Sequence, residues 1–228
     1  RDPLWSRGLG DVYKRQDLTL ASAVHAAARQ LADAGVSDPL VDAELLAGHV
    51  LGLRRGEVQA VIIRGDAVEE ADADSLRALV TRRAGREPLQ HITGTAPFRH
   101  LELAVGPGVF VPRPETETVV QYAIDALLGS ALPAPIGIDL GTGSGAIALA
   151  MATEVPHARV FATELSPDAY PWAVRNTAGV DNLTLVNEDL AHAFPELDGT
   201  ASVVISNPPY VPDAAVPRDP EVLSLIHI

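Results

Sequence analysis

Residues 206–210 read Ser-Asn-Pro-Pro-Tyr. Two consecutive prolines fix φ and remove two N–H donors, so this turn is rigid and presents carbonyls with few competing donors. Asn207 offers an amide oxygen, Pro208 a carbonyl and Tyr210 a flat face, while Pro209 completes the stiff corner. That set suits a planar NH2 group: Asn207 and Pro208 each accept one of its hydrogens, and Tyr210 stacks on its plane. An amide nitrogen is a poor nucleophile because its lone pair is shared with the carbonyl; the peptide-bond rotation barrier of about 18–20 kcal/mol sets the scale. Acceptors on both hydrogens pull density back onto nitrogen, so positioning and electrostatics supply most of a rate without a strong base. Taken alone, the same residues also make a plain rigid turn.

A second candidate is Asp139-Leu140-Gly141-Thr142-Gly143-Ser144-Gly145, between a strand-like run and a helix-like run. Glycines at such a junction let the backbone turn tightly and approach a ligand, and the N–H groups at the helix start receive an anionic or polar group. Glu164 lies 23 residues after Gly141, at the end of the next strand-like run, where a carboxylate accepts bonds from ribose hydroxyls. No Gly-Lys-Ser/Thr follows, which excludes a nucleoside-triphosphate loop. By itself the loop can also be read as a tight turn with no ligand.

Composition narrows the classes. The chain has 228 residues, 47% hydrophobic and 21% charged, enough for one large domain or two small ones with a real core. Lys+Arg 17 against Asp+Glu 30 gives a net charge of −13, which argues against a nucleic-acid backbone as the main partner. Aromatic residues are only 4%, leaving few stacking platforms for single strands. Without cysteine there is no disulfide, thiolate nucleophile or cysteine zinc site, and the seven histidines show no ligand spacing, so no metal is expected. No apolar run reaches about 18 residues, so no membrane span is expected.

The elements that must position these residues follow from periodicity. Residues 17–90 read as a helical domain: Ala21 to Ala34 ending at Gly35, a second helix from Asp38-Pro39 to Leu51, a short one over 53–61, and one over 72–86. Leu40, Ala43, Leu46, Ala47 and Val50 form the apolar stripe of the second. Residues 91–112 read as a β-hairpin linker, with alternating runs at 91–98 and 101–105. Thr116 to Leu128 is an amphipathic helix with Val119, Val120, Ala123, Ile124 and Leu127 inward. Strands at 136–140, 159–163, 183–186 and 202–206 alternate with helices over 145–153 and 166–178. This rhythm predicts an α/β fold with a parallel sheet and helices on both faces. Pro171 falls inside the last helix and should distort its first turns.

Asp139 to Ala146 resembles the first motif of Rossmann-like, class I S-adenosylmethionine methyltransferases. The resemblance implies that Asp139, Gly141, Thr142, Gly143, Ser144, Gly145 and Asn207 meet S-adenosyl-L-methionine. It further implies that Glu164 binds its ribose, that Asp189 meets the adenine amine and that Leu190 packs on the ring. Phe110-Val111-Pro112-Arg113-Pro114-Glu115-Thr116-Glu117 is similar to the signature preceding the catalytic domain in the peptide chain release factor N5-glutamine methyltransferases, although Pro114, Glu115 and Glu117 also suit a helix N-terminus. That resemblance covers about residues 17–221. It implies a cytoplasmic enzyme in which Asn207, Pro208 and Tyr210 are catalytic. Asn207, Pro208, Pro209, Tyr210, Phe110 and Arg113 then hold the glutamine of a release factor's Gly-Gly-Gln motif. The helical domain over 17–90 would dock substrate, ahead of a Rossmann-like domain over 113–222.

Other readings stay open on residues alone: a ribosomal-protein glutamine or nucleic-acid amino methyltransferase, or a fragment that only binds a partner. The family's sheet has seven strands, and this chain is expected to supply four, which leaves its activity open. Residues 1–16 and 223–228 lack periodicity or end abruptly, and read as non-native sequence.

Overall fold

The computed structural model describes residues 18–208. The leader 1–16, the tail 223–228, Pro209 and Tyr210 therefore lie outside the described residues. The chain divides into two compact units between Thr93 and Gly94.

The first unit is helical: α1 Leu20–Asp33, α2 Pro39–Leu51, α3 Arg55–Arg64, α4 Glu70–Ala84 and α5 Leu89–Thr93. Thr19 starts α1 by accepting a hydrogen bond from the Ser22 N–H. Leu20, Val24, Ala27 and Leu31 then recur at three- and four-residue spacing and are buried. In α2, Pro39 occupies the first turn, but Asp38 makes no side-chain cap bond. Its buried stripe is Ala43, Leu46 and Ala47, whereas Leu40, expected in that stripe, is largely exposed at the first turn. Val58, Leu76, Val80 and Ile92 complete the core. Arg83 closes on Asp42 at 2.7 Å, both side chains being nearly buried, so a charge removed from solvent is paired.

The strand expected from residue 91 is instead α5. The Pro88 carbonyl accepts from the His91 and Ile92 N–H groups, and Ile92 is buried among helices. A run that short carries no reliable period, and packing decides it.

The second unit opens on a hairpin, β1 Thr95–Phe98 and β2 Leu101–Ala104. It continues with α6 Pro114–Leu128, β3 Ile136–Leu140, α7 Ala146–Glu154, β4 Arg159–Thr163, α8 Tyr170–Thr177, β5 Leu183–Val186, a single 3-10 turn Pro195–Leu197 and β6 Val203–Ser206. The hairpin is no free-standing linker: Ala96, Phe98, Leu103, Val105 and Val109 belong to the same hydrophobic core as α6 and α7. Its turn holds Arg99 at φ 53°, a left-handed conformation uncommon for a side-chain-bearing residue. Four side-chain hydrogen bonds over-determine it: two to Glu154 at 2.6 and 2.7 Å, one to Gln121 at 2.7 Å and one to the Glu117 carbonyl at 3.3 Å.

The four long strands are parallel, in the order β5-β4-β3-β6. Right-handed crossovers explain how they are covered. The steps β3 to β4 and β4 to β5 run the same way, so α7 and α8 lie on one face, where Val160, Ala162 and Gly137 meet helical side chains. The step from β5 to β6 reverses direction, so its connection crosses the other face. Phe194 and Leu197 there pack on Ile138 and Phe161, with the two aromatic rings edge-on at 5.3 Å. Helices on both faces were expected; among the described residues, the second face carries only the 3-10 turn and its flanks. In α6, Val120, Ala123, Ile124 and Leu127 are buried, but Val119, expected inward, is 49% exposed.

Pro171 causes no distortion. The helix begins at Tyr170, not at Ser166, so Pro171 sits in the first turn, where no N–H partner is needed.

Candidate active site

Reversal of strand order between β3 and β6 opens a crevice beyond their carboxyl ends. Both candidate motifs meet there. Leu140 pairs with Ser206 in register, and the Ser206 hydroxyl donates to the Leu140 carbonyl at 2.7 Å. Gly141 and Asn207 are the next residues on neighbouring strands.

The glycine loop is held from behind. Gly141 and Thr142 N–H both donate to the Thr163 carbonyl at 2.9 Å, and Gly143 N–H donates to Glu164 Oε2 at 2.7 Å. Gly141, Gly143 and Gly145 stand at φ 76°, 60° and 84°, which only glycine adopts without strain. Their surroundings differ. A Cβ on Gly141 or Gly143 would meet nothing within 4 Å, so these two line open space. A Cβ on Gly145 would sit 3.2 Å from Thr177 Cγ2, so this glycine serves the packing of α7 on α8.

Asp139 lies beneath the loop, on the face that carries α7. Oδ2 accepts from Thr142 Oγ1 at 2.5 Å and from the Ala148 N–H at 3.1 Å. Oδ1 is buried without a hydrogen-bond partner. Burial pushes its carboxyl up to about 7; the bonds from Thr142 and Ala148 oppose this, and the charge of Glu164 adds to it. Thr142 and Ser144 are also buried, so their side chains belong to the loop's scaffold.

Glu164 ends β4. Its Oε1 accepts from the Ser166 N–H at 2.8 Å while Oε2 holds Gly143, so the expected ribose acceptor also fixes the loop. Asp189 is exposed beyond β5 and turns its own chain by accepting from the Ala191 N–H at 2.9 Å. Leu190 beside it is 47% exposed. Phe110 and Arg113 lie before α6, and the Arg113 guanidinium stands 5.1 Å from the Phe110 ring centroid. Asn207 is exposed, with Nδ2 donating to Thr116 Oγ1 at 3.3 Å, and Pro208 follows half-buried.

Three contributors had no place in the sequence reading of the site. Asn176 of α8 donates to the carbonyls of Ala104 and Ser144 at 2.9 and 2.8 Å, and accepts from the Ala104 N–H at 2.8 Å. It thereby ties the hairpin to the glycine loop. Trp172 lies so close that a Cβ on Gly106 would be 2.5 Å from its ring. Thr116 was visible inside the Pro-Glu-Thr-Glu run, but only as part of a helix start.

Comparison with known proteins settles the lineage. Residues 22–94 match the family described as PrmC N-terminal domain, and residues 138–219 match one described as methyltransferase domain. The release factor glutamine methyltransferase of Streptomyces coelicolor is 53% identical over 194 residues, covering 85% of this chain and 66% of that protein. That of Mycolicibacterium smegmatis is 47% identical over 208 residues, covering 89% and 70%. That of Bifidobacterium longum is 41% identical over 216 residues, covering 90% and 74%. The chain belongs to the release factor glutamine methyltransferase family. It spans 66% to 74% of the length of these three relatives. The family accounts for the order of parts found here, a helical unit followed by a Rossmann-like methyltransferase sheet. No helix among the described residues is long and apolar enough to cross a membrane.

Proposed function

We propose that this chain transfers a methyl group to the side-chain amide nitrogen of the glutamine in the Gly-Gly-Gln motif of a peptide chain release factor, in the cytoplasm. One observation carries the reading: Asn207 stands at the end of β6 directly beside the glycine loop at the end of β3, in register through Leu140 and Ser206. The relatives' names supply the substrate, and the juxtaposition supplies a means.

The donor fits as S-adenosyl-L-methionine. Gly141 and Gly143 line open space that a Cβ would enter, and the buried Asp139 Oδ1 lacks a partner beneath it. Residues 141–145 would cradle the group's amino-acid end, Glu164 its ribose, and Asp189 and Leu190 its base. When bound, that group supplies a methyl on an electron-poor sulfur. Asn207 Oδ1 and the Pro208 carbonyl then accept the two hydrogens of the glutamine amide, holding its plane and returning density to nitrogen. No residue has to remove a proton before attack, because the alkylated nitrogen is cationic and loses its proton readily. The chain's contribution is placement and polarisation. Pro209, Tyr210, Phe110 and Arg113 complete the proposed seat for the glutamine, and the helical unit over 17–90 is the proposed docking domain.

Incubation with a release factor and labelled cofactor tests this, read by peptide mass spectrometry. One added methyl on the Gly-Gly-Gln glutamine supports it. Transfer to a ribosomal protein or to DNA instead, or no transfer, defeats it.

A further inference from the structure

A carboxamide has two ends of similar shape and opposite polarity. Asn207 can serve an NH2 substrate only if its oxygen, not its nitrogen, faces the hydrogens to be accepted. Flipped, it offers donors to donors. The carboxamide must therefore be held in place.

The structure assigns that task to Thr116, as a positioning residue; the inference rests on the function proposed above. Asn207 Nδ2 donates to Thr116 Oγ1 at 3.3 Å, so the nitrogen end is engaged and the oxygen end is left for the substrate. The hydroxyl can act as an anchor because its own helix end is fixed. Pro114 presets the first turn of α6, and the Thr116 N–H closes on the Arg113 carbonyl at 3.0 Å. The adjoining Glu117 takes the Arg99 N–H on its carboxylate at 3.0 Å and an Arg99 guanidinium N–H on its carbonyl at 3.3 Å. On the other side, Ser206 is held to Leu140 at 2.7 Å, so the backbone leading into Asn207 is fixed too. Thr116 and Asn207 are 91 positions apart, so this is a tertiary contact between α6 and the strand end.

Thr116→Val keeps the shape and removes the acceptor, while Thr116→Ser keeps the acceptor. Two readouts are needed. In the first, the side-chain NH2 pair of Asn207 is followed by 15N NMR in the full chain, with its signals assigned by their loss in Asn207→Ala. Thr116→Val should narrow the separation of the two proton shifts and speed exchange with water, and Thr116→Ser should not. In the second, methylation of a release factor is measured. Thr116→Val should lower kcat roughly 3- to 10-fold, the scale of one hydrogen bond, with the melting temperature and cofactor affinity unchanged, and Thr116→Ser should restore most of the rate. The inference is overturned if the NMR pair ignores Thr116→Val, if Ser is as impaired as Val, or if the loss follows melting temperature or cofactor affinity. A tethered amide in a wild-type chain that transfers no methyl would defeat the proposed function and leave the tether standing.

Discussion

The Ser206 hydroxyl donates to the Leu140 carbonyl at 2.7 Å, joining the ends of two parallel strands just where each gives way to a candidate motif. Beyond Leu140 the chain turns through glycines at positive φ; beyond Ser206 the next residues in sequence are Asn207 and two prolines. Each motif is weak evidence by itself, but their adjacency makes a candidate site.

Asn207→Ala removes the proposed acceptor without touching the loop. Transfer to the glutamine should fall by at least about 100-fold, as when one preorganised polar group is removed from an acyl-transfer site. Calorimetric titration with S-adenosylmethionine should still give heat, and quantitative peptide mass spectrometry gives the rate.

Two glycine substitutions should separate ligand binding from packing. Gly143→Ala forces a side chain to φ 60° at a cost of about 1–2 kcal/mol and places a methyl in open space above the loop, so cofactor affinity should drop most. Gly106→Ala drives a methyl to 2.5 Å from the Trp172 ring, which should cost about 1–3 kcal/mol of stability. Urea unfolding and calorimetric titration of both variants give opposite rankings if the assignment is right.

Asn176→Ala removes three hydrogen bonds that link β2, α8 and the Ser144 carbonyl. Stability should fall by about 1–3 kcal/mol, because partly buried backbone groups lose their partners. Cofactor affinity should fall with it, since the loop loses its tie to α8. An unchanged affinity in a destabilised variant would show that the loop stands without this tie.

Asp139 gives a pH dependence of definite sign. Its folded carboxyl is pushed up to about 7 from an ordinary 3.8, so between those values the folded chain holds a proton that the unfolded chain has released. Stability from this group is therefore full below the ordinary value and declines as pH rises toward 7. Urea unfolding at pH 5 and pH 8 should show a smaller loss on raising pH for Asp139→Asn than for the wild type. Equal losses would place the carboxyl's titration elsewhere.

Most of the frame was legible because it rests on period and punctuation. The strand over 159–163 was bounded to the residue, since β-branched and apolar residues run there between an exposed Arg159 and the acid Glu164. The glycine loop and Asn207 were singled out from residue type and spacing alone. Pro171 misled the reading because a proline marks either a broken helix or its beginning, and only the true start at Tyr170 decides. Val119 misled it because a helix stripe is narrower than its apolar residues, and this one falls just outside it.

Within the candidate site, the residue types were legible and their structural support was not. Asp139 looked like a ligand-facing acid, yet its Oδ2 braces Thr142 and α7 from beneath the loop. Asn176 carried no signal, because a polar residue in a short helix pattern reads as solvated surface. Its partners lie 72 and 32 positions away, at distances a local pattern does not encode.

Separation along the chain also orders events in time. The glycine loop is braced by Glu164, 21 positions from Gly143, while Ser206 reaches back 66 positions to Leu140. Shorter closures lose less entropy and form earlier. A chain made from its N-terminus therefore has Gly143 and Glu164, the two ends of the loop's brace, in hand before Asn207 is added.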